Sequence, residues 1–559
     1  MKQDSQLPTA EEISLPDHHR AHRLTISTVA FLALSAICLF ALIAKHEVSR
    51  DEVRAYSIAR AAGSPIDLVR SKLVNEGHPA LWYLALWLGS RIWDDYGVLK
   101  IVSFLAGLSM VCVTFLASPF PLLHRSLFIF GAFPLHHFSV VARPYGLAAL
   151  LILLLAMEYA RKAACNPWRV GVYNALLANT SIYGAIVACA FVLVPLAGTP
   201  KTGYSQRSYL AVVTLLTGVG VALCLYTIWP TSDNLVMERQ GMQVLQAGYV
   251  NLAAEVLRSL YAIISDQQGW TGYILTGYGL QTKLSQLGYT SLGTVTSVVG
   301  LLAILALFIR WPRVLIAFTS CFVASGLFSN LMYPASNVHI AVIGIFLFAL
   351  LWITWSRYYS ARTLYWPLLT YFLGISLFFH ASDGVHTAWR DLHETYSSSK
   401  VAGGFLTSMY PDAIVIGEPD VFGESLPYYV DNPIYLVRES RFARWVRFER
   451  PFNRTVRLGE LMNVSAQLQR TTGKTVLVSL PKPIEEFQPG LFNWSYGRAL
   501  EINEEELQRF RSGFAEVAGF MEGLETYVFY KENHYQNTAP SVLPLSQTKS
   551  NGARGTIAD

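Results

Sequence analysis

The chain has 559 residues, 52% of them apolar and only 14% charged, with a formal net charge of +5. Soluble domains usually carry about 25% charged residues, so this composition excludes an ordinary soluble enzyme and predicts a polytopic α-helical membrane protein. A net charge of +5 on such a length reads as Lys and Arg flanking membrane segments and not as a nucleic-acid footprint.

A polar tail, 1–23, precedes the first apolar run and is expected to be cytoplasmic. Spanning helices need about 17–25 mostly apolar residues. Runs of this kind lie at about 24–44, 98–118, 126–142, 145–160, 170–181, 182–198, 208–229, 287–309, 314–332, 338–356 and 363–380, some of them short, so about eleven spans are expected. No small-residue cleavage site follows the first run, which therefore reads as an anchor. Short-loop Lys and Arg set the orientation. Arg161, Lys162 and Arg169, then Lys201 and Arg207, Arg310 and Arg313, and Arg357 and Arg362 all fall on one side. With that side cytoplasmic, loops 45–97 and 230–286 and everything after 380 lie outside. Within the first loop, Pro79–Trp93 is apolar but short and carries Trp82, Trp87 and Trp93. It reads as a helix lying at the membrane interface, where indole rings prefer to sit.

Beyond the membrane domain, 24–380, the pattern changes. Ala413–Gly417, Pro433–Val437, Thr475–Leu480 and Thr526–Tyr530 read as strands, and Leu458–Arg470 and Glu504–Val517 as helices, which predicts a small α/β domain over 381–535. The last stretch, 536–559, is rich in Ser, Thr, Pro and Gly and is expected to be disordered. All six cysteines precede residue 322, so the polar domain does not rely on disulfides.

Chemistry-bearing residues gather at helix ends on the predicted outer face. Asp51 and Glu52 follow the first span, His78 opens the Pro79–Trp93 segment, Arg143 and Tyr145 form an Ala-Arg-Pro-Tyr turn, and His339 follows Tyr333-Pro334. A carboxylate at a membrane helix mouth is suited to take a proton from an acceptor hydroxyl or amine. A guanidinium fork suits phosphate oxygens. No metal partner stands at a fixed spacing from His339, and His136 and His137 are adjacent and so diverge on a helix. No metal ligand is assigned and a divalent-metal requirement stays open. Gly473-Lys474-Thr475 resembles the end of a phosphate loop, but Leu468 occupies the place of its first glycine.

In their order along the chain, these segments resemble the GT-C glycosyltransferases, above all the branch of bacterial aminoarabinose transferases and protein O-mannosyltransferases (glycosyltransferase family 39-like). The Asp51-Glu52 pair after the first span, the His78-Pro79-Ala80-Leu81 start of a juxtamembrane helix, Ala142-Arg143-Pro144-Tyr145, and Tyr333-Pro334 with His339 carry the likeness over about residues 24–360. The resemblance implies a sugar carried on polyprenyl phosphate and transferred at the outer face to a lipid, protein or glycan, with the protein in the bacterial inner membrane. It also implies roles. Asp51 would be the catalytic carboxylate with Glu52 beside it, His78 would contact donor phosphate, Arg143 and Tyr145 would border the cavity, and His339 would close it. Two departures stand out. Val141 replaces an acidic residue common before the Arg-Pro-Tyr turn, and Ala80 replaces a proline.

Each residue also has a plain reading. Asp51 and Glu52 can be a solvated helix end, Arg143 a headgroup anchor, and His78 and His339 loop or structural residues. Two rival functions follow: a transporter or flippase of lipid-linked sugar, and an inactive relative whose exported domain binds a partner.

Overall fold

The computed structural model describes residues 26–161, 165–194, 205–231, 234, 248–265, 269–286, 290–359, 365–448, 455–494 and 497–533. The N-terminal and C-terminal tails lie outside these residues. The protein is a polytopic helical membrane protein with a C-terminal α/β domain. Among the described residues, six helices are long and apolar enough to cross a bilayer: Thr28–Lys45, Gly97–Ala117, Gln206–Ile228, Pro312–Leu331, Asn337–Tyr358 and Tyr365–His393. Shorter apolar helices at Tyr145–Ala160, Ile182–Leu193 and Ser297–Phe308 pack among them. The Asn337–Tyr358 helix is nearly enclosed by its neighbours, whereas the first helix shows Ile37 and Phe40 outward. Such rows of exposed apolar side chains are the surface that hydrocarbon covers.

Three predicted elements take a different form. The 126–142 run is an α-helix over Leu122–Ile129 followed by a π-helix over Phe133–Val140. Pro134 lies in the first turn of the second piece, where it lacks an N–H to donate. The last predicted span continues as one helix, Tyr365–His393, well past residue 380. Among the described residues, the 230–286 region holds two helices, Gly248–Ile264 and Trp270–Gln286, which pack on the spans that follow. The second is interrupted at Gly277 (φ +76°), and the Asp383 carboxylate accepts the Gly279 N–H at 3.1 Å. The tryptophan-bearing segment is a helix over Ala80–Ile92. Its 13 residues reach about 20 Å, short of a hydrocarbon core about 30 Å thick. Trp82 is buried and Trp93 half exposed.

The C-terminal domain contains a six-stranded mixed sheet. Its first five strands in chain order are β1 (Ile414–Gly417), β2 (Ile434–Leu436), β3 (Arg441–Phe442), β4 (Thr455–Arg457) and β5 (Val476–Leu480). The remaining four are β6 (Gly490–Asn493), β7 (Ala499–Ile502), β8 (Phe514–Phe520) and β9 (Tyr527–Glu532). The large sheet runs β3-β2-β1-β5-β9-β8, and β4-β7-β6 form a small second sheet. β1 is parallel to β2 and β5, with Val415 opposite Ile434 on one side and Leu477 on the other. Gly473 (φ +70°) ends the Leu458–Thr472 helix in a left-handed turn, so the Gly-Lys-Thr triplet is a helix stop and not a phosphate cradle. One correction concerns the predicted Glu504–Val517 helix. It stops at Gly513, and Phe514–Phe520 pairs antiparallel with β9. Asn503 caps its start by accepting the Glu506 N–H. Its end is set by Gly513 and by the open edge of β9, whose pull on the next residues is tertiary.

Candidate active site

The site is built on α1 (Ile26–Lys45) and α2 (Arg50–Arg60), joined by a four-residue turn. Ser49 is the N-cap of α2, and Glu52 reaches back to it, accepting the Ser49 N–H at 2.8 Å and its hydroxyl at 2.9 Å. This reciprocal arrangement starts a helix efficiently. Neighbouring residues on a helix point about 100° apart, so the two acidic side chains part company. Glu52 turns into the protein and is fully buried, and its second oxygen accepts the Ala142 N–H at 2.7 Å. Asp51 points to the open side and meets Arg143, Oδ2 to Nη1 3.3 Å, while Arg50 lies 3.5 Å from its other oxygen. Glu52 therefore fixes the backbone beside Arg143, and Asp51 fixes the Arg143 side chain.

Electrostatics follow from this placement. Burial alone would discourage ionisation of Asp51, but Arg143 and then Arg50 outweigh it and hold the carboxyl below the usual range. The same pairing, against the cost of burial, raises Arg143. Burial and then the positive field of Arg143 push His78 down to about 4, so its imidazole is neutral at neutral pH. In the free protein His78 offers a hydrogen-bonding ring and no charge. Its loop is shaped by two left-handed residues, Asn75 (φ +64°) and Gly77 (φ +71°). Asn75 is clamped by Thr231 and Asn234, whose N–H groups donate to its side-chain oxygen at 3.0 and 2.8 Å.

Tyr145 carries the Arg143 guanidinium over its ring, 5.4 Å from the centroid. Its hydroxyl lies 2.8 Å from His339 Nε2. His339 Nδ1 accepts the Ser336 N–H at 3.0 Å, so the ring's proton sits on Nε2 and is donated to the Tyr145 oxygen. The Tyr145 hydroxyl proton is then free for another acceptor. Tyr183 stacks on His339, with centroids 4.6 Å apart and planes at 14°. The structure thus brings Asp51, Arg143, Tyr145 and His339 into one chain of contacts with His78 in its field, and sets Glu52 behind them.

Sequence reasoning missed the residues that hold α2. Arg54 is buried between Glu76 and Glu424 of the C-terminal domain, and donates to the Val446 carbonyl at 2.9 Å. Glu525 accepts the Arg50 N–H at 3.0 Å, and the Tyr429 hydroxyl accepts the Val48 N–H at 3.0 Å. Buried charges are normally paired, but nothing in the local sequence says that Arg54 is buried or that its partner lies some 370 residues on.

No family model matches the chain, and no curated protein matches it. Among solved structures it is similar to ArnT from Cupriavidus metallidurans bound to undecaprenyl phosphate, with TM-score 0.45 and 11% identity over 91% of this chain and 98% of that one. The apo state of the same protein gives TM-score 0.45 and 12% identity over 90% and 97%. The mycobacterial arabinofuranosyltransferase AftD gives 0.36 and 11% over 90% of this chain and 41% of that one. Likenesses this distant assign neither substrate nor reaction.

Proposed function

We propose that this protein is a GT-C-type glycosyltransferase that moves a sugar from a polyprenyl-phosphate carrier to an acceptor on the outer face of a bacterial inner membrane. The observation that carries the reading is the meeting of Asp51 with Arg143, from two separate motifs, beside His78 and the Tyr145–His339 pair. In this reading the ion pair is the resting state. A donor phosphate takes the guanidinium fork of Arg143 bidentately, aided by hydrogen bonds from neutral His78 and from Tyr145. Released from Arg143, the strongest of the charges that hold its carboxyl down, Asp51 becomes more basic. It accepts the proton of the attacking acceptor as the anomeric carbon–phosphate bond breaks on the opposite side, with inversion. An apolar cleft lined by Phe133, Ile274, Phe348, Leu373 and Leu377 offers a prenyl chain an apolar surface. No metal or cofactor is assigned a step.

The rival transporter reading has one observation in its favour. A helix broken at Gly277 beside buried Asp383 resembles the interrupted helices of transporters. Here, however, the break is already served by Asp383, and Glu158 is engaged by Arg161 and the Asn166 N–H. The inactive-relative reading draws on Val141. In this chain that position is nearly buried, and the neighbouring Ala142 N–H is taken by Glu52.

Two measurements bear on the proposal directly. Arg143→Lys keeps the charge but loses the fork, so donor KM should rise by about 10- to 150-fold, the equivalent of losing one charge-assisted hydrogen bond. His78→Ala should weaken donor binding in the same direction. Unchanged donor KM in both, with folding intact, reduces the two residues to anchors. For sidedness, reporter fusions after Lys162, Arg207, Arg313 and Arg362 should read as cytoplasmic and a fusion after Glu418 as external. A cytoplasmic reading at Glu418 ends the proposal, because the site then faces the wrong compartment.

A further inference from the structure

We propose that His46, His136 and Asp391 form a buried site for a single transition-metal ion of the zinc class, with Glu52 as the carboxylate that orients one of its histidines. The three residues come from unrelated parts of the chain: the residue after α1, the π-helix over Phe133–Val140, and the last turn of Tyr365–His393. Their side chains are 1%, 4% and 2% exposed. One ligand atom from each lies within 4.8 Å of the other two.

Geometry and satisfaction both favour an ion. His46 Nδ1 is 2.9 Å from Asp391 Oδ1, and His136 Nε2 is 3.5 Å from the same oxygen. Tetrahedral zinc, with bonds of about 2.0–2.1 Å, sets its ligand atoms roughly 3.3 Å apart, so these two edges bracket the required spacing. The competing occupant is a proton on His46, shared between two carboxylates. That arrangement serves His46 and Asp391 and leaves His136 poorly served, since its Nε2 reaches Asp391 only at 3.5 Å, too long for a good hydrogen bond, and its Nδ1 has no hydrogen-bond partner. A buried polar group in that condition calls for a missing ion or water. A π-turn is a common device for placing a functional side chain within a helix, and here it holds His136 against the other two.

The donor set selects the ion. Two imidazoles and one carboxylate suit zinc and neighbouring transition metals, whereas calcium and magnesium prefer all-oxygen shells. The surroundings also match. A histidine that ligates through one nitrogen generally donates its other N–H to a carboxylate or carbonyl. With Nδ1 committed to the ion, His46 Nε2 faces Glu52 Oε2 at 3.4 Å, and Tyr396 closes over the His46 ring at 4.7 Å. Through Glu52 and the Ala142 N–H the ion would stiffen the backbone that carries Arg143. Its role would be structural, tying the first helix, the π-helix and the final span together behind the site.

Elemental analysis of the tag-free full-length protein in detergent tests this without any activity assay. After chelation and dialysis against dilute Zn²⁺, one zinc per chain is expected, and the ion should raise the unfolding temperature. Co²⁺ in its place should give the visible absorption of a low-symmetry nitrogen and oxygen site. His136→Leu should lose the zinc and its thermal effect, and Glu52→Gln should weaken zinc binding about 10- to 100-fold. A wild-type protein that retains no zinc overturns the inference. So does a His136→Leu variant with unchanged zinc content, which would place the ion elsewhere. Should His136→Leu not fold, the Co²⁺ spectrum of the wild type decides: a spectrum of six oxygen ligands counts against the site.

Discussion

Asp51→Asn is expected to bind donor normally and to turn it over about 10²- to 10⁴-fold more slowly, the usual contribution of a general base. The substitution keeps size and most hydrogen bonding. It also releases Arg143 from its partner 3.3 Å away, so donor binding should be unchanged or tighter, and this separates loss of chemistry from loss of the site. Because Arg143 and Arg50 hold Asp51 below the usual carboxylate range against the effect of burial, the free wild-type protein keeps it ionised at neutral pH. The profile of kcat/KM should therefore stay level from neutral into mildly acidic pH before falling. Parallel assays of donor binding and transfer with a panel of polyprenyl-phosphate sugars give the answer. Normal transfer by Asp51→Asn removes the catalytic assignment, and joint loss of binding and transfer demotes Asp51 to a binding residue. A transporter has no chemical step for this change to slow. Glu52→Gln should behave differently. Glu52 is occupied by Ser49, Ala142 and His46, so its loss should lower the unfolding temperature before it lowers the rate.

The second large effect concerns Arg54. Its guanidinium is enclosed between Glu76 and Glu424, lies over the Phe448 ring at 4.3 Å, and donates to the Val446 carbonyl. Arg54→Met removes the shared cation and leaves two buried carboxylates facing each other. Breaking a buried pair in this way costs about 3–5 kcal/mol. Burial already pushes the Glu424 carboxyl up, against the pull of Arg54, so protonation would relieve part of the loss as pH falls. The expected result is a C-terminal domain that loosens from α2, read as faster hydrogen exchange across residues 46–60 and a lower unfolding temperature. Arg54→Met combined with Glu76→Gln and Glu424→Gln should recover much of the stability, since no charge is then left unpaired. If Arg54→Met unfolds at the wild-type temperature, the guanidinium is not what joins the two parts.

Local signals in the sequence determined the membrane class, most helix positions and four strands of the C-terminal domain. Hydropathy over a span and alternation over a strand are properties of neighbouring residues, so Gly97–Ala117, Asn337–Tyr358 and Val476–Leu480 could be read without knowing what they pack against. Asp51, His78, Arg143, Tyr145 and His339 were likewise legible as residue types at helix ends. What they do to one another was not. The divergence of Asp51 and Glu52, the neutral state of His78, and the proton placement on His339 depend on partners brought together by packing. The same holds where helix yields to strand after Gly513, because the edge of β9 is made by residues later in the chain. Buried Arg54 and the grouping of His46, His136 and Asp391 left no local trace. A polar or charged residue becomes stable inside a protein only through its partners, and for Arg54 and His46 one of those partners, Glu424 and Asp391 respectively, stands hundreds of residues away.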